Sequence, residues 1–152
     1  MGDGHLLRDL RLQLRQAALR PVYQVALESK RIPGRGGRFG DFGQLQGRDN
    51  LGQAVIMRLL TPRGELSTLG HPNYGSRLHE LIGRQNTATQ RDFIKLYILE
   101  SLQQEPRIAS VESIAITPTP GRRDRVDVLL IVQPVAETAT VTIGPFTLEL
   151  GP

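Results

Sequence analysis

At 152 residues and 39% hydrophobic, with 16 glycines and 10 prolines, the chain suits one compact domain or one domain with an extension. It has no cysteine, which excludes disulfides and thiolate metal sites, and no apolar run long enough to cross a membrane. Its formal net charge of +4 permits an acidic protein or a nucleic acid as partner and selects neither, while 5% aromatic residues and no tryptophan argue against a platform for stacking bases.

The first residues, MGDGHLLRDLRLQLR, scatter acidic and basic groups among leucines and do not read as a signal peptide. Residues 6–20 fit two periods. Leu7, Leu10, Leu14 and Ala18 would line a helix, and Leu10, Leu12 and Leu14 would alternate along a strand. After Pro21, Tyr23, Val25 and Leu27 alternate as a strand, and residues 30–43, KRIPGRGGRFGDFG, read as a glycine- and arginine-rich loop.

Asp49 or Asn50 can cap a helix whose apolar stripe is Leu51, Val55, Ile56 and Leu59. Thr61-Pro62 ends it, residues 62–65 form a turn, and Ser76 to Ile82 is expected as a short helix closed by Gly83. Thr87 and Gln90 match a capping box for a longer helix that runs to about Gln104, with Phe93, Ile94, Leu96, Tyr97 and Leu102 on a broad apolar side. Pro106 cannot continue that helix and drives Glu105 toward an extended backbone.

Beyond Arg107 the period becomes two. Ile108, Val111, Ile114 and Ile116 mark a first strand with one irregular step. Residues 118–123 form a hairpin connection. Val126, Val128, Leu130 and Val132 mark a second strand, apolar on both faces near its middle and therefore central. Residues 137–150, with Thr138, Thr140 and Thr142 and a break at Gly144-Pro145, suit an edge strand. The expected class is α+β, a mainly antiparallel sheet with helices packed on one face.

The chemical motifs are incomplete. GRGGRFGDFG lacks the Gly-Lys-Ser/Thr of a phosphate loop, and His79-Glu80 lacks a second histidine at Gly83. Glu65, Glu80, Glu100 and Glu105 show no spacing that pairs them across a sugar cleft. Neither a metal nor a cofactor is expected, and the chain does not read as an enzyme.

A resemblance enters through an ordered set of segments. These are Asn50-Leu51-x-Gln53-Ala54, Arg58-Leu59-Leu60-Thr61-Pro62-Arg63-Gly64-Glu65-Leu66, His71-Pro72-Asn73-Tyr74-Gly75-Ser76-x-Leu78, Ile82-Gly83 and Glu105-Pro106-Arg107-Ile108. Over about residues 44–133 the chain resembles the small baseplate wedge proteins of contractile phage tails, tailocins and contractile injection systems, a family related to the type VI secretion baseplate component and called lysozyme-like in older naming.

The resemblance implies a structural baseplate component. Its partners would be the core bundle of the large wedge proteins, the first sheath subunits and hub or tube-proximal proteins, in a sixfold particle, without nucleic acid or membrane insertion. It implies that Glu105, Pro106 and Arg107 meet the core bundle. Read from the residues alone, the two charges equally well pair with each other while Pro106 stops a helix. An edge strand at Thr138, Thr140 and Thr142 is the expected acceptor for a sheath arm, with the strand near Ile114 as the competing edge. The implied place is the cytoplasm during assembly and then a virion or contractile particle. Residues 1–43 read as an extension ahead of a wedge domain over 44–152, an added arm that contacts a neighbouring wedge component. The alternative function is a peptidoglycan hydrolase riding in the same baseplate, although no catalytic pair transfers onto this chain.

Overall fold

The computed structural model describes residues 47–151 in full; before them it describes only the backbone of short strands between Arg8 and Gln46. Strand β1 (Arg8–Leu10) pairs antiparallel with β7 (Gln44–Gln46), β2 (Leu12–Leu14) with β4 (Val25–Leu27), and β5 (Ser29–Arg31) with β6 (Phe39–Phe42). The Leu10, Leu12 and Leu14 alternation thus belongs to strands. The glycine-rich run is flanked by paired strand where a loop was expected, and residues 32–38 lie outside the described residues. The expected contact between an N-terminal arm and a neighbouring component also falls outside them.

Helix α1 spans Gly47–Leu60, starting ahead of the expected cap, and buries Leu51, Val55 and Leu59. Arg48 in its first turn reaches across to Glu137 at 3.0 Å and to the Thr140 carbonyl at 3.3 Å. Helix α2 spans Ala88–Leu102. The Thr87 hydroxyl accepts from the Gln90 N–H at 3.2 Å, but the Thr87 N–H donates to Gln85, so only half of the capping box forms. The expected short helix is a 3-10 turn, Leu78–Leu81.

Three long strands follow: β8 (Ile108–Pro118), β9 (Arg125–Pro134) and β10 (Val141–Glu149). With β3 (Ala18–Leu19) they form a sheet in the order β3-β10-β9-β8; β3 runs parallel to β10 and the other pairs are antiparallel. Strand β9 is central, as its composition requires. Val126, Val128, Leu130 and Val132 turn inward, while Leu129 and Ile131 stay half-buried on the far face. Strand β8 carries two register irregularities rather than one.

Both helices cover one face of this sheet, α2 over β8 and α1 over β10. The class is α+β, with a core of Leu51, Val55, Ile94, Ile98 and Leu102 against the inward valines and leucines of β9 and β10. The apolar side expected for α2 is only partly the buried one. Ile94, Tyr97, Ile98, Ser101 and Leu102 face inward, and Phe93 and Leu96 face solvent. The inward set is also spaced by three and four; it admits Ser101 because its hydroxyl donates to the Gly75 carbonyl at 2.9 Å.

Candidate protein-binding corner

The helix α1 sequence leads to the site. Arg58 lies on the same stripe as Leu51, Val55 and Leu59, so helix geometry carries a guanidinium into the interior. A buried cation needs a partner. Arg58 Nη2 lies 3.3 Å from Glu105 Oε2, and its guanidinium stacks over the Tyr74 ring at 4.5 Å from the centroid. Its Nε is buried without a hydrogen-bond partner among the described residues.

Glu105 stands just beyond α2, where Pro106 turns the chain into β8. Its N–H closes onto the Leu102 carbonyl at 3.0 Å, and its own carbonyl accepts from the Ile108 N–H at 3.1 Å. Glu105, which the resemblance sets at the partner contact, is itself buried, with 5% of its surface accessible. Its Oε1 accepts from Arg107 Nε at 2.7 Å, while Oε2 faces Arg58. The local pairing of the two charges is therefore present. Burial by itself would push the Glu105 carboxyl up. The hydrogen bond from Arg107 and the positive charges of Arg107 and Arg58 outweigh it and hold the group below the usual carboxylate range. Burial also raises the Tyr74 phenol, against the opposing pull of Arg58.

Pro106 is exposed, and the Arg107 side chain keeps 20% of its surface accessible. Its Nε is committed to Glu105; its two terminal nitrogens have no partner among the described residues. The corner thus presents a guanidinium whose position is set by a buried carboxylate beneath it.

The loop carrying Tyr74 is fixed from both sides. The Ser76 N–H donates to the Thr61 carbonyl at 2.8 Å, and the Arg63 N–H to the Ser76 carbonyl at 2.9 Å. The Ser76 hydroxyl donates to the Leu59 carbonyl at 2.6 Å. Between them Gly75 has a φ of 106°, and a Cβ there would lie 2.4 Å from the Thr61 carbonyl oxygen. Only glycine fits. Segments 58–66 and 71–78, far from residue 105 in the chain, therefore form one structure with it. The sequence alone does not mark Arg58, Tyr74, Gly75 or Ser101 as site residues. A charged residue on an apolar helical stripe was the available signal for Arg58.

The candidate edge threonines fare differently from one another. Thr138 and Thr140 precede β10 in the connection from β9, where the expected strand was to begin; Arg48 ties this connection to α1 through Glu137 and the Thr140 carbonyl. Thr142 lies in β10, exposed, opposite Ile131. The far edge of β10 is partly taken, since Thr147 and Leu148 pair with Ala18 and Leu19. Strand β8 has no neighbour beyond it among the described residues.

Three of the four carboxylates considered for hydrolysis, Glu80, Glu100 and Glu105, are engaged by arginines, and Arg77 lies between Glu80 and Glu100 at 3.0 and 4.0 Å. Glu80 bonds Arg77 through both oxygens at 3.0 Å, Glu100 bonds Arg63, and Glu105 bonds Arg58 and Arg107. The hydrogen bond from Arg77 pulls the Glu80 carboxyl below its ordinary value. No helix among the described residues is long and apolar enough to cross a membrane.

Comparison with family models and with curated proteins by sequence gives no match. Among solved structures, the chain shares its fold with a provisionally named tail lysozyme from Geobacter sulfurreducens, at a TM-score of 0.58 and 19% identity, covering 68% of this chain and 91% of that one.

Proposed function

We propose that the protein is a structural component of a contractile tail or injection-system baseplate, which joins a helical bundle of larger wedge proteins through the Pro106–Arg107 corner and receives an extended sheath segment on its sheet edge. The observation that carries this reading is the placement of Glu105. Its buried carboxylate orients Arg107 from below and leaves the terminal guanidinium nitrogens for a carboxylate or helix-end carbonyl of a partner. A side chain held in its binding position loses little rotamer freedom on association. Glu105 acts as a positioning residue here, and Arg107 and Pro106 as the contact.

The fold shared with a tail protein supports the particle, while the contact itself rests on the corner's geometry. For the sheath segment, β8 offers the longest run of unpaired backbone among the described residues, and Thr142 is the remaining candidate on β10. The name of the structural neighbour suggests hydrolysis as a second reading. The arginine pairing of Glu80, Glu100 and Glu105 argues against it, because a general acid needs a raised carboxyl and Glu80 and Glu105 are lowered.

The test is co-purification of the large wedge proteins with the parent chain and with Arg107→Ala, beside a cell-wall clearing assay. Loss of capture by a folded Arg107→Ala protein is expected, with no clearing by the parent. Equal capture by both, or clearing by the parent, would overturn the reading.

A further inference from the structure

At the other end of α2 lies a groove of about 720 Å³, between the loop ahead of the helix and the β8–β9 hairpin turn. A 15-residue helix separates it from the corner by about 22 Å. Its walls include Asn86, Arg91, Pro118, Pro120, Arg122 and Arg123, and no acidic side chain among the described residues lines it.

The arginines differ in what they have left to offer. Arg122 grips Asp124 through Nε and Nη2 at 3.1 and 3.0 Å and is largely neutralised. Arg91 Nη1 donates to Asn86 Oδ1 at 2.8 Å, which steadies the side chain, and its other guanidinium nitrogens have no partner among the described residues. Arg123 is exposed and has no ionic or hydrogen-bonded partner among them. The groove therefore carries uncompensated positive charge at Arg91 and Arg123, on walls that are partly apolar through Pro118 and Pro120.

We propose that this groove binds an extended, carboxylate-bearing segment of a partner protein, with Arg91 and Arg123 as its anion contacts. Guanidinium pairs with carboxylate in a planar, two-point geometry, and the proline faces suit the apolar side of an extended backbone. The volume falls within the ~300–1,000 Å³ of ordinary ligand sites, which fits a short segment rather than a folded surface. A nucleic acid is less well served. No aromatic ring among the described residues lines the groove for a base, and two arginines do not make a stripe that follows a phosphate backbone.

The inference is independent of the corner. Arg123→Glu should spare capture through Arg107, and Arg107→Ala should spare the groove. The probe is a fluorescein-labelled polyglutamate peptide of roughly eight residues, titrated by fluorescence anisotropy at ~50 mM salt, where exposed charges are only partly screened. Arg123→Glu is compared with Lys95→Glu, the same charge change at an exposed position of α2 outside the groove. Saturable binding by the parent is expected, weakened about tenfold or more by Arg123→Glu and by Arg91→Gln and little changed by Lys95→Glu. Three results would each overturn the proposal: no peptide binding by the parent, equal weakening by Lys95→Glu, or tighter Arg123-dependent binding of an oligothymidine of the same length.

Discussion

Arg107 Nε donates to Glu105 Oε1 at 2.7 Å across the intervening Pro106, and the same carboxylate meets Arg58 through its second oxygen at 3.3 Å. One anion thus serves an inner cation that holds the helix junction together and an outer cation that faces solvent. Removing the anion and removing the outer cation should have different consequences. Glu105→Ala leaves Arg58 buried without a counter-charge and should cost about 3–5 kcal/mol of folding stability. Arg107→Ala should cost less, about 1–3 kcal/mol, because the carboxylate loses a charged hydrogen bond but keeps Arg58 beside it. Urea denaturation of both variants measures the contrast, and equal losses would contradict the assignment of inner and outer roles.

The pH dependence follows from the same carboxylate. Its folded value lies below the ordinary glutamate range, so Glu105 binds a proton more readily in the unfolded chain. Its contribution is complete above the unfolded value of about 4.3 and is lost as pH falls through the lower folded value. Urea midpoints between roughly pH 6 and pH 3 should therefore fall more steeply for the parent than for Glu105→Gln. Parallel curves would show that the carboxylate is not held in its charged form.

Gly75 tests whether the Tyr74 loop is as rigid as its contacts suggest. A methyl group there meets the Thr61 carbonyl and demands a left-handed backbone from alanine. Gly75→Ala should lose about 1–3 kcal/mol from backbone strain, and more from the clash. Thermal melting reads the loss; an unchanged midpoint would mean that the loop moves aside.

Asp124 gives a local check on the hairpin. The hydrogen bonds from Arg122 hold its carboxyl down to about 2. This lowered value means that the pairing persists below the ordinary aspartate value and is lost only as pH falls toward 2. A titration followed by NMR should find that midpoint, and Arg122→Ala should return it toward the ordinary aspartate value. A midpoint unmoved by the substitution would show that Arg122 does not hold this group.

The open edge of β8 makes a prediction that needs no knowledge of which residues point outward. Alternate amides along a strand face opposite neighbours. In the free protein, every second amide between Ser113 and Thr117 should exchange quickly and the intervening ones slowly. In the assembled particle the fast set should become protected. Persistent rapid exchange at β8, with protection at Thr142 instead, would move the acceptor to β10.

Much of the architecture was readable in the chain because it depends on local chemistry. Thr87 caps α2, Pro106 ends it, and alternation from Ile108 to Val132 makes two strands, the second buried on its inward face. The inner face of α2 was less legible. Series spaced by three and four run through both Phe93 with Leu96 and Ile94 with Ile98, and only packing against β8 and β9 selects the second. Thr138 and Thr140 have the composition of a strand, yet Arg48 from a distant helix engages their connection and β10 begins after it. The burial of Glu105 is the furthest from local rules. Its neighbours suggest a solvated turn. Arg58, brought in on an apolar helical stripe, and Tyr74, held by Gly75 and Ser76, enclose the carboxylate because a guanidinium carried into the core must have an anion beside it.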